Sequence, residues 1–291
     1  MINGSESIAV HFSISPFIIG FTVLAIGTSL PEMMVSVLAA LKGDTGIVFG
    51  NVIGSNISNT LLIIGITALI ADISFTKKSL RNQVYLTTGA SLIFIFLTYS
   101  NSLSSPSIQR LGGLVLLVIF SVYLWYLIQS KAVSLEDESY PSFKMNKAIT
   151  MCLLGSIALG IGGQLVVSHT LSICTLLNLE SITLSLIIIA LGTSLPELVT
   201  CVDAVKRGKG ELAIGNILGS NIFNLYLVLG ISASLAPLSV PSSLPPHLAV
   251  MFISMVMIIA IIKSKKEKYI GRVSGIILIL SYTIYLFSFS L

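Results

Sequence analysis

The sequence predicts an all-α polytopic membrane protein built from two inverted-topology repeats of five helices. Composition, long apolar runs and an internal repeat each point there. Of the 291 residues, 54% are hydrophobic and only 10% charged, with a mean hydropathy of +0.98. That is far too apolar for a soluble domain of this length. A helix of roughly 20 apolar residues crosses a hydrocarbon core about 30 Å thick. Nine segments meet or approach that length: Pro16 to Leu41, Gly46 to Ala71, Gln83 to Ser100, Gln109 to Gln129, Lys147 to Ser168, Ser181 to Val205, Glu211 to Leu235, Pro246 to Ile262 and Tyr269 to Ser288.

The first two segments carry polar motifs inside apolar runs, as do the sixth and seventh. The other five are plain apolar runs with charges confined to their ends. Trp125, with Tyr123 and Tyr126, reads as an interfacial aromatic belt. His11, His169 and His247 fall near predicted membrane boundaries and read as interfacial, and Asp203 reads as a surface ion pair near Lys206 and Arg207. Cys152, Cys174 and Cys201 show no paired spacing, so neither a disulfide framework nor a thiolate metal site is expected, and they read as small core residues. No cleavable leader is recognisable at the amino terminus.

Laying the chain on itself at an offset of 165 residues superposes GTSLPE at Gly27 to Glu32 on GTSLPE at Gly192 to Glu197. Without a gap, GNVIGSNISN at Gly50 to Asn59 then falls on GNILGSNIFN at Gly215 to Asn224. From Gly27 to Gly65, 18 of 39 positions are identical. Shared apolar composition reproduces Leu and Ile, but not Thr, Ser, Pro, Glu, Asn and Gly at matched positions. The chain therefore divides into a first repeat (1–130), a cytoplasmic linker (131–146) and a second repeat (147–291). The acidic run Glu136 to Glu138 in the linker reads as solvated.

Lys and Arg in alternate loops number 14 on one side and 2, Lys42 and Arg110, on the other. The rich side is cytoplasmic. The Gly27 motif then enters from the cytoplasm and the Gly192 motif from outside, so the repeats are inverted, a recurring transporter design with the substrate held at their interface. The span Lys147 to Ser168 has its counterpart upstream of Met1, so the reading is of nine visible spans with the first helix of the first repeat missing. The basic residues lie in short loops between spans, and no nucleic-acid partner is expected.

Glu32 and Glu197 lie well inside their spans, where a carboxylate costs at least about 3 kcal/mol unless it meets a cation, a proton or water. Pro31 and Pro196 each remove a backbone donor and displace the carbonyl four residues earlier, so the helix should break there. Such breaks are tolerated at membrane depth where they line a cavity, and their freed carbonyls coordinate cations. Thr28, Ser29, Thr193 and Ser194 add hydroxyl oxygens on the same turns. From the partner segments come the hydroxyls of Ser55 and Ser220 and the amide oxygens of Asn59 and Asn224, while Gly54 and Gly219 permit close helix approach. These are hard ligands, suited to Ca2+ and unlike the nitrogen and sulfur sets of softer metals. Two carboxylates neutralise one Ca2+. Na+ can use the same oxygens, and competition for one alternately exposed site suffices for antiport.

GTSLPE followed by GNxxGSNIxN, occurring twice in inverted halves, resembles the calcium/cation antiporter superfamily and most of all the prokaryotic sodium/calcium exchangers. The resemblance covers nearly the whole chain and implies a fold of ten helices in two inverted five-helix repeats. It implies that Glu32 and Glu197 are the acidic ligands of a central Ca2+ site, with Thr28 and Thr193 adding oxygens. Flanking Na+ sites would draw on Ser29, Ser55, Ser194 and Ser220, with backbone help near Ala25 and Ala190. Asn59 and Asn224 match a central polar pair. Some relatives, notably potassium-dependent exchangers, carry Asp at the position of Asn224, so Asn here argues against potassium dependence.

The expected function is secondary exchange of Na+ for Ca2+ by alternating access, in a multi-pass protein of a prokaryotic inner membrane. Its surroundings are membrane lipid, its cargo Ca2+ and Na+, and no cofactor is expected; a monomer is the working reading. Proton/Ca2+ exchange, or Na+ exchange for another cation, is the alternative, because protons also neutralise Glu32 and Glu197. An enzyme is not expected: HExxH and GxSxG are absent and a hydrolase has no use for oppositely oriented motif copies. A passive channel would conduct without a counter-ion.

Overall fold

Apolar runs interrupted only by small polar residues satisfy their backbone groups internally as helices, the one open-chain solution available in lipid. The computed structural model describes residues 1–12, 15–74, 77–99, 106–129, 143–176, 189–264 and 269–290. Its helices are α1 (Ile2–Phe12), α2 (Phe17–Thr28), α3 (Leu30–Leu41), α4 (Thr45–Ile70), α5 (Lys77–Tyr99), α6 (Arg110–Gln129), α7 (Met145–Leu176), α8 (Leu195–Lys206), α9 (Gly210–Leu235), α10 (Leu244–Ser264) and α11 (Arg272–Ser290). Among the described residues six helices are long and apolar enough to cross a bilayer, or seven if the bent pair α2 and α3 is one span. Of the nine expected spans, Gln83 to Ser100 appears as the shorter apolar helix Val84–Tyr99, and the first part of Ser181 to Val205, residues 181–188, lies outside the described residues.

Two local expectations are corrected. Residues before Pro16 do form a helix, α1, packed along α7. Asn3, Glu6 and the serines interrupt its apolar run, so hydropathy passes over it. The segment set down as linker to Asn146 is shorter, because α7 already begins at Met145; the acidic run Glu136 to Glu138 lies outside the described residues.

Burial separates a centre from a perimeter. The apolar windows of α4 and α9 are 78% and 94% buried, whereas those of α6 and α7 are each 17% buried. The polar residues of α4 and α9 cannot face hydrocarbon and so occupy the middle. Phe96, Leu111, Val118, Leu154, Val273 and Phe287 stand exposed around the outside, an apolar rim that lipid accommodates and water would not.

Element boundaries recur at the sequence offset. π-Helical turns occupy Ser58–Ile63 in α4 and Phe223–Val228 in α9. Gly43 (φ 77°) and Gly208 (φ 75°) end α3 and α8 in the left-handed region. Around them Asp44 N–H donates to Ala39 O and Lys209 N–H to Ala204 O, the same helix-terminating pattern twice. Contacts exchange between halves: α6 lies on the end of α9 and α11 on the end of α4. Gly113 faces Gly230, and Gly275 faces Gly65, so closely that a Cβ on Gly113 or Gly275 would stand 2.8 or 2.7 Å from the opposing glycine carbonyl. Such small-residue contacts let membrane helices gain dispersion energy at close range. Two short antiparallel ladders join the halves, β1 (Ile73–Ser74) with β4 (Tyr269–Ile270) and β2 (Ser107–Ile108) with β3 (Leu238–Ser239).

His247, at the start of α10, turns toward a neighbouring helix. It is buried, its Nδ1 is 3.0 Å from the Tyr285 hydroxyl, and its ring lies against Phe289. A boundary position in sequence says nothing about which face meets a neighbour, and α11 covers this one. Tyr285→Phe should therefore lower stability by about 1–3 kcal/mol, read as a lower melting temperature in detergent. His11 is exposed, and the side chain of His169 lies outside the description. Trp125 and Tyr126 are exposed, while Tyr123 packs on Phe21 with ring centroids 5.6 Å apart. Asp203 pairs with Arg207 at 2.9 Å, both half-exposed. Cys152 and Cys201 are buried free thiols; the Cys174 side chain is outside the description.

Candidate functional site

Ser29 (φ −87°, ψ 10°) and Ser194 (φ −82°, ψ 2°) leave helical geometry at equivalent points. Pro31 and Pro196 then open α3 and α8, where the missing N–H is not needed. The bend between α2 and α3 is 48°. On the far side of each break, Glu32 and Glu197 fall in the first helical turn, the end at which the helix dipole favours negative charge. The expected break is present, and it places each carboxylate at a helix amino terminus inside the protein.

All twelve candidate residues are buried: Ala25, Thr28, Ser29, Glu32, Ser55, Asn59, Thr193, Glu197, Ser220 and Asn224 at 0%, Ala190 at 1% and Ser194 at 2% exposure. Hydrogen bonds tie each motif to the opposite half. Ser29 Oγ donates to Glu197 Oε1 at 2.9 Å, and Ser194 Oγ donates to Glu32 Oε1 at 3.4 Å. Thr28 Oγ1 is 3.5 Å from Ser220 Oγ, and Thr193 Oγ1 is 3.3 Å from Ser55 Oγ. Ser220 adds a 3.3 Å bond to Glu197 Oε1. Ala25 O accepts the backbone N–H of Ser29, and Ala190 O that of Ser194, both at 3.0 Å. Asn59 and Asn224 stand at matched positions in the two π-helical turns, a distortion often found at functional sites.

Several polar residues here escaped the sequence reading. Asn59 Nδ2 donates to Asn221 Oδ1 (3.1 Å), and Asn224 Nδ2 to Asn56 Oδ1 (3.3 Å). Asn221 Nδ2 reaches Thr60 Oγ1 at 3.0 Å. Asn51 and Asn216 bond to Thr193 and Thr28. Their signal was available, since Asn51/Asn216 and Asn56/Asn221 are identical pairs within the repeated motif.

With those bonds made, Glu32 Oε2, Glu197 Oε2, Asn59 Oδ1 and Asn224 Oδ1 remain buried without a hydrogen-bond partner. All four are acceptors. Among the described residues the ion pairs are Arg207 with Asp203 and Lys209 with Glu6, and neither involves Glu32 or Glu197. Buried carboxylates without a counter-charge are strongly unfavourable. Carboxylate and amide oxygens left open together fit a hard cation such as Ca2+ or Na+.

The family described as sodium/calcium exchanger protein matches residues 1–129 and 147–291. The putative antiporter CaxA of Alkalimonas amylolytica is 33% identical over 290 residues, covering 96% of this chain and 89% of the relative. The sodium/calcium exchanger MaX1 of Methanosarcina acetivorans is 30% identical over 326 residues, covering 98% and 92%. The solved sodium-calcium exchanger NCX_Mj, soaked with 2.5 mM Na+ and 0.1 mM Ca2+, superposes with a TM-score of 0.80 at 30% identity, covering 99% of this chain and 91% of that one. With both halves matched and exchangers of prokaryotes among its relatives, the chain belongs to the sodium/calcium exchanger family of membrane antiporters.

Proposed function

We propose that the protein is a secondary antiporter that exchanges Na+ for Ca2+ by alternating access to one site between two inverted repeats. The observation that carries this reading is the pair of fully buried carboxylates, Glu32 and Glu197, each with one oxygen lacking any partner. Glu32 and Glu197 hold Ca2+, with Thr28 and Thr193 beside them. Ser29, Ser55, Ser194 and Ser220, with the carbonyls of Ala25 and Ala190, complete Na+ sites, and Asn59 and Asn224 lie between the halves. Because Ca2+ and Na+ draw on the same two negative charges, they displace one another instead of binding together. The exchange of contacts between halves and the charge bias of alternate loops support repeats of opposite orientation. The repeats correspond to residues 1–130 and 145–291, the second opening with α7. The inner membrane protein YrbG of Escherichia coli, 31% identical over 287 residues, supports a prokaryotic inner membrane as the location.

The test is uptake of radiolabelled Ca2+ into Na+-loaded proteoliposomes. Uptake should require the outward Na+ gradient and collapse when Na+ is equal on both sides. Uptake driven only by a proton gradient would replace Na+ by H+ as counter-ion. Flux with no counter-ion would make the protein a channel and overturn the reading.

A further inference from the structure

We infer that Asn51 and Asn216 are positioning residues: each takes the proton of the opposite repeat's motif threonine, so that the threonine hydroxyl and a neighbouring carbonyl keep lone pairs open toward the ion. This rests on the exchanger reading above. A hydroxyl carries one hydrogen, and each threonine has competing acceptors. Thr193 Oγ1 lies 3.1 Å from Asn51 Oδ1 and 3.3 Å from Ala190 O. Thr28 Oγ1 lies 3.2 Å from Asn216 Oδ1 and 3.4 Å from Ala25 O. In both halves the asparagine is the nearer acceptor. The two alanine carbonyls already accept one backbone N–H each. A threonine proton would occupy their second lone pair, and diverting it to asparagine leaves that pair free.

The amide orientation that makes this possible is itself held. Asn51 Nδ2 donates to Glu32 O and to Ser36 Oγ, both at 2.9 Å. Those two acceptors fix the amide nitrogen toward α3 and leave Oδ1 as the group facing Thr193. In the other half Ser36 is replaced by Cys201, whose Sγ receives Asn216 Nδ2 at 3.5 Å. Sulfur is the weaker acceptor, so Asn216 is held less firmly. Asn51, Asn216, Ser36 and Cys201 are all buried, and all act on the ion through other residues.

Equilibrium binding of radiolabelled Ca2+ to the purified full chain in detergent tests the inference by a double-mutant cycle. Asn216→Ala should weaken Ca2+ binding about tenfold, the scale of one lost hydrogen bond. In a Thr28→Val background the same change should cost less than about twofold, because the proton it managed is gone. Thr28→Ser, which keeps the hydroxyl, should restore the dependence on Asn216. Equal losses in both backgrounds, or no loss in well-folded Asn216→Ala, would overturn the inference. If Asn216→Ala does not fold, Cys201→Ser decides: about two- to threefold tighter binding that vanishes with Thr28→Val supports it, and unchanged affinity overturns it. Absence of Ca2+ binding by the unaltered chain would instead overturn the exchanger reading, and binding without Na+-coupled transport would do so while leaving this inference standing.

Discussion

Glu32→Gln and Glu197→Gln should each abolish Ca2+ binding and at the same time raise the melting temperature of the ion-free protein. Both effects have one cause. Without an ion, each carboxyl is buried at 0% exposure with an oxygen lacking a partner. At neutral pH it costs either the desolvation of a charge or the free energy of protonating it. An amide of the same shape carries no charge and keeps only the smaller cost of an unpaired buried polar group, so the ion-free fold should gain stability. With Ca2+ present the order reverses. A ligand at one hundred times its Kd stabilises the folded protein by about 2.7 kcal/mol, and each variant loses that increment with its charge. The measurement is thermal unfolding in detergent with Ca2+ and with chelator. A variant that keeps its Ca2+-dependent rise would remove that glutamate from the ion site.

Gly219→Val should disrupt the same site through packing alone. A Cβ on Gly219 would meet the carbonyl of Phe21 and stand 2.8 Å from Ala25 Cβ. Gly215 makes the same kind of approach to Phe17 O, and Gly20 to Leu212 O. The obstacle is backbone, which no rotamer change removes, so α2 and α9 must separate. The cost exceeds the roughly 1–3 kcal/mol of ordinary overpacking, and it falls on the contact that brings Ala25 and Thr28 against Asn216 and Ser220. Most of the protein should be lost to aggregation on size exclusion. Gly89→Ala is the control, since a Cβ there meets nothing within 4 Å. It should leave the elution profile unchanged and add up to about 1 kcal/mol through helix propensity. Equal behaviour of the two variants would mean that the α2 and α9 contact is not tight.

The amino-acid order by itself determined the membrane setting, the duplication and the identity of the buried carboxylates. These properties are local: an apolar run is long enough to span, and a Glu within one is costly wherever it points. Seven polar positions repeated at a constant offset cannot come from apolar bias, and Pro31 and Pro196 mark the helix breaks through their missing N–H groups. What only the tertiary structure decided is which residue answers which. Ser29 and Glu197 are 168 positions apart, and Thr28 and Asn216 are 188 apart. A motif read along one strand of sequence suggests that Thr28, Ser29 and Glu32 serve each other. In the fold their hydrogen bonds cross between repeats. Helix α1 and the burial of His247 were illegible for the same reason, since each depends on a neighbouring helix face that hydropathy along the chain does not encode. Asn51 and Asn216 were visible as repeated letters, but only the fold sets each beside the threonine of the opposite repeat.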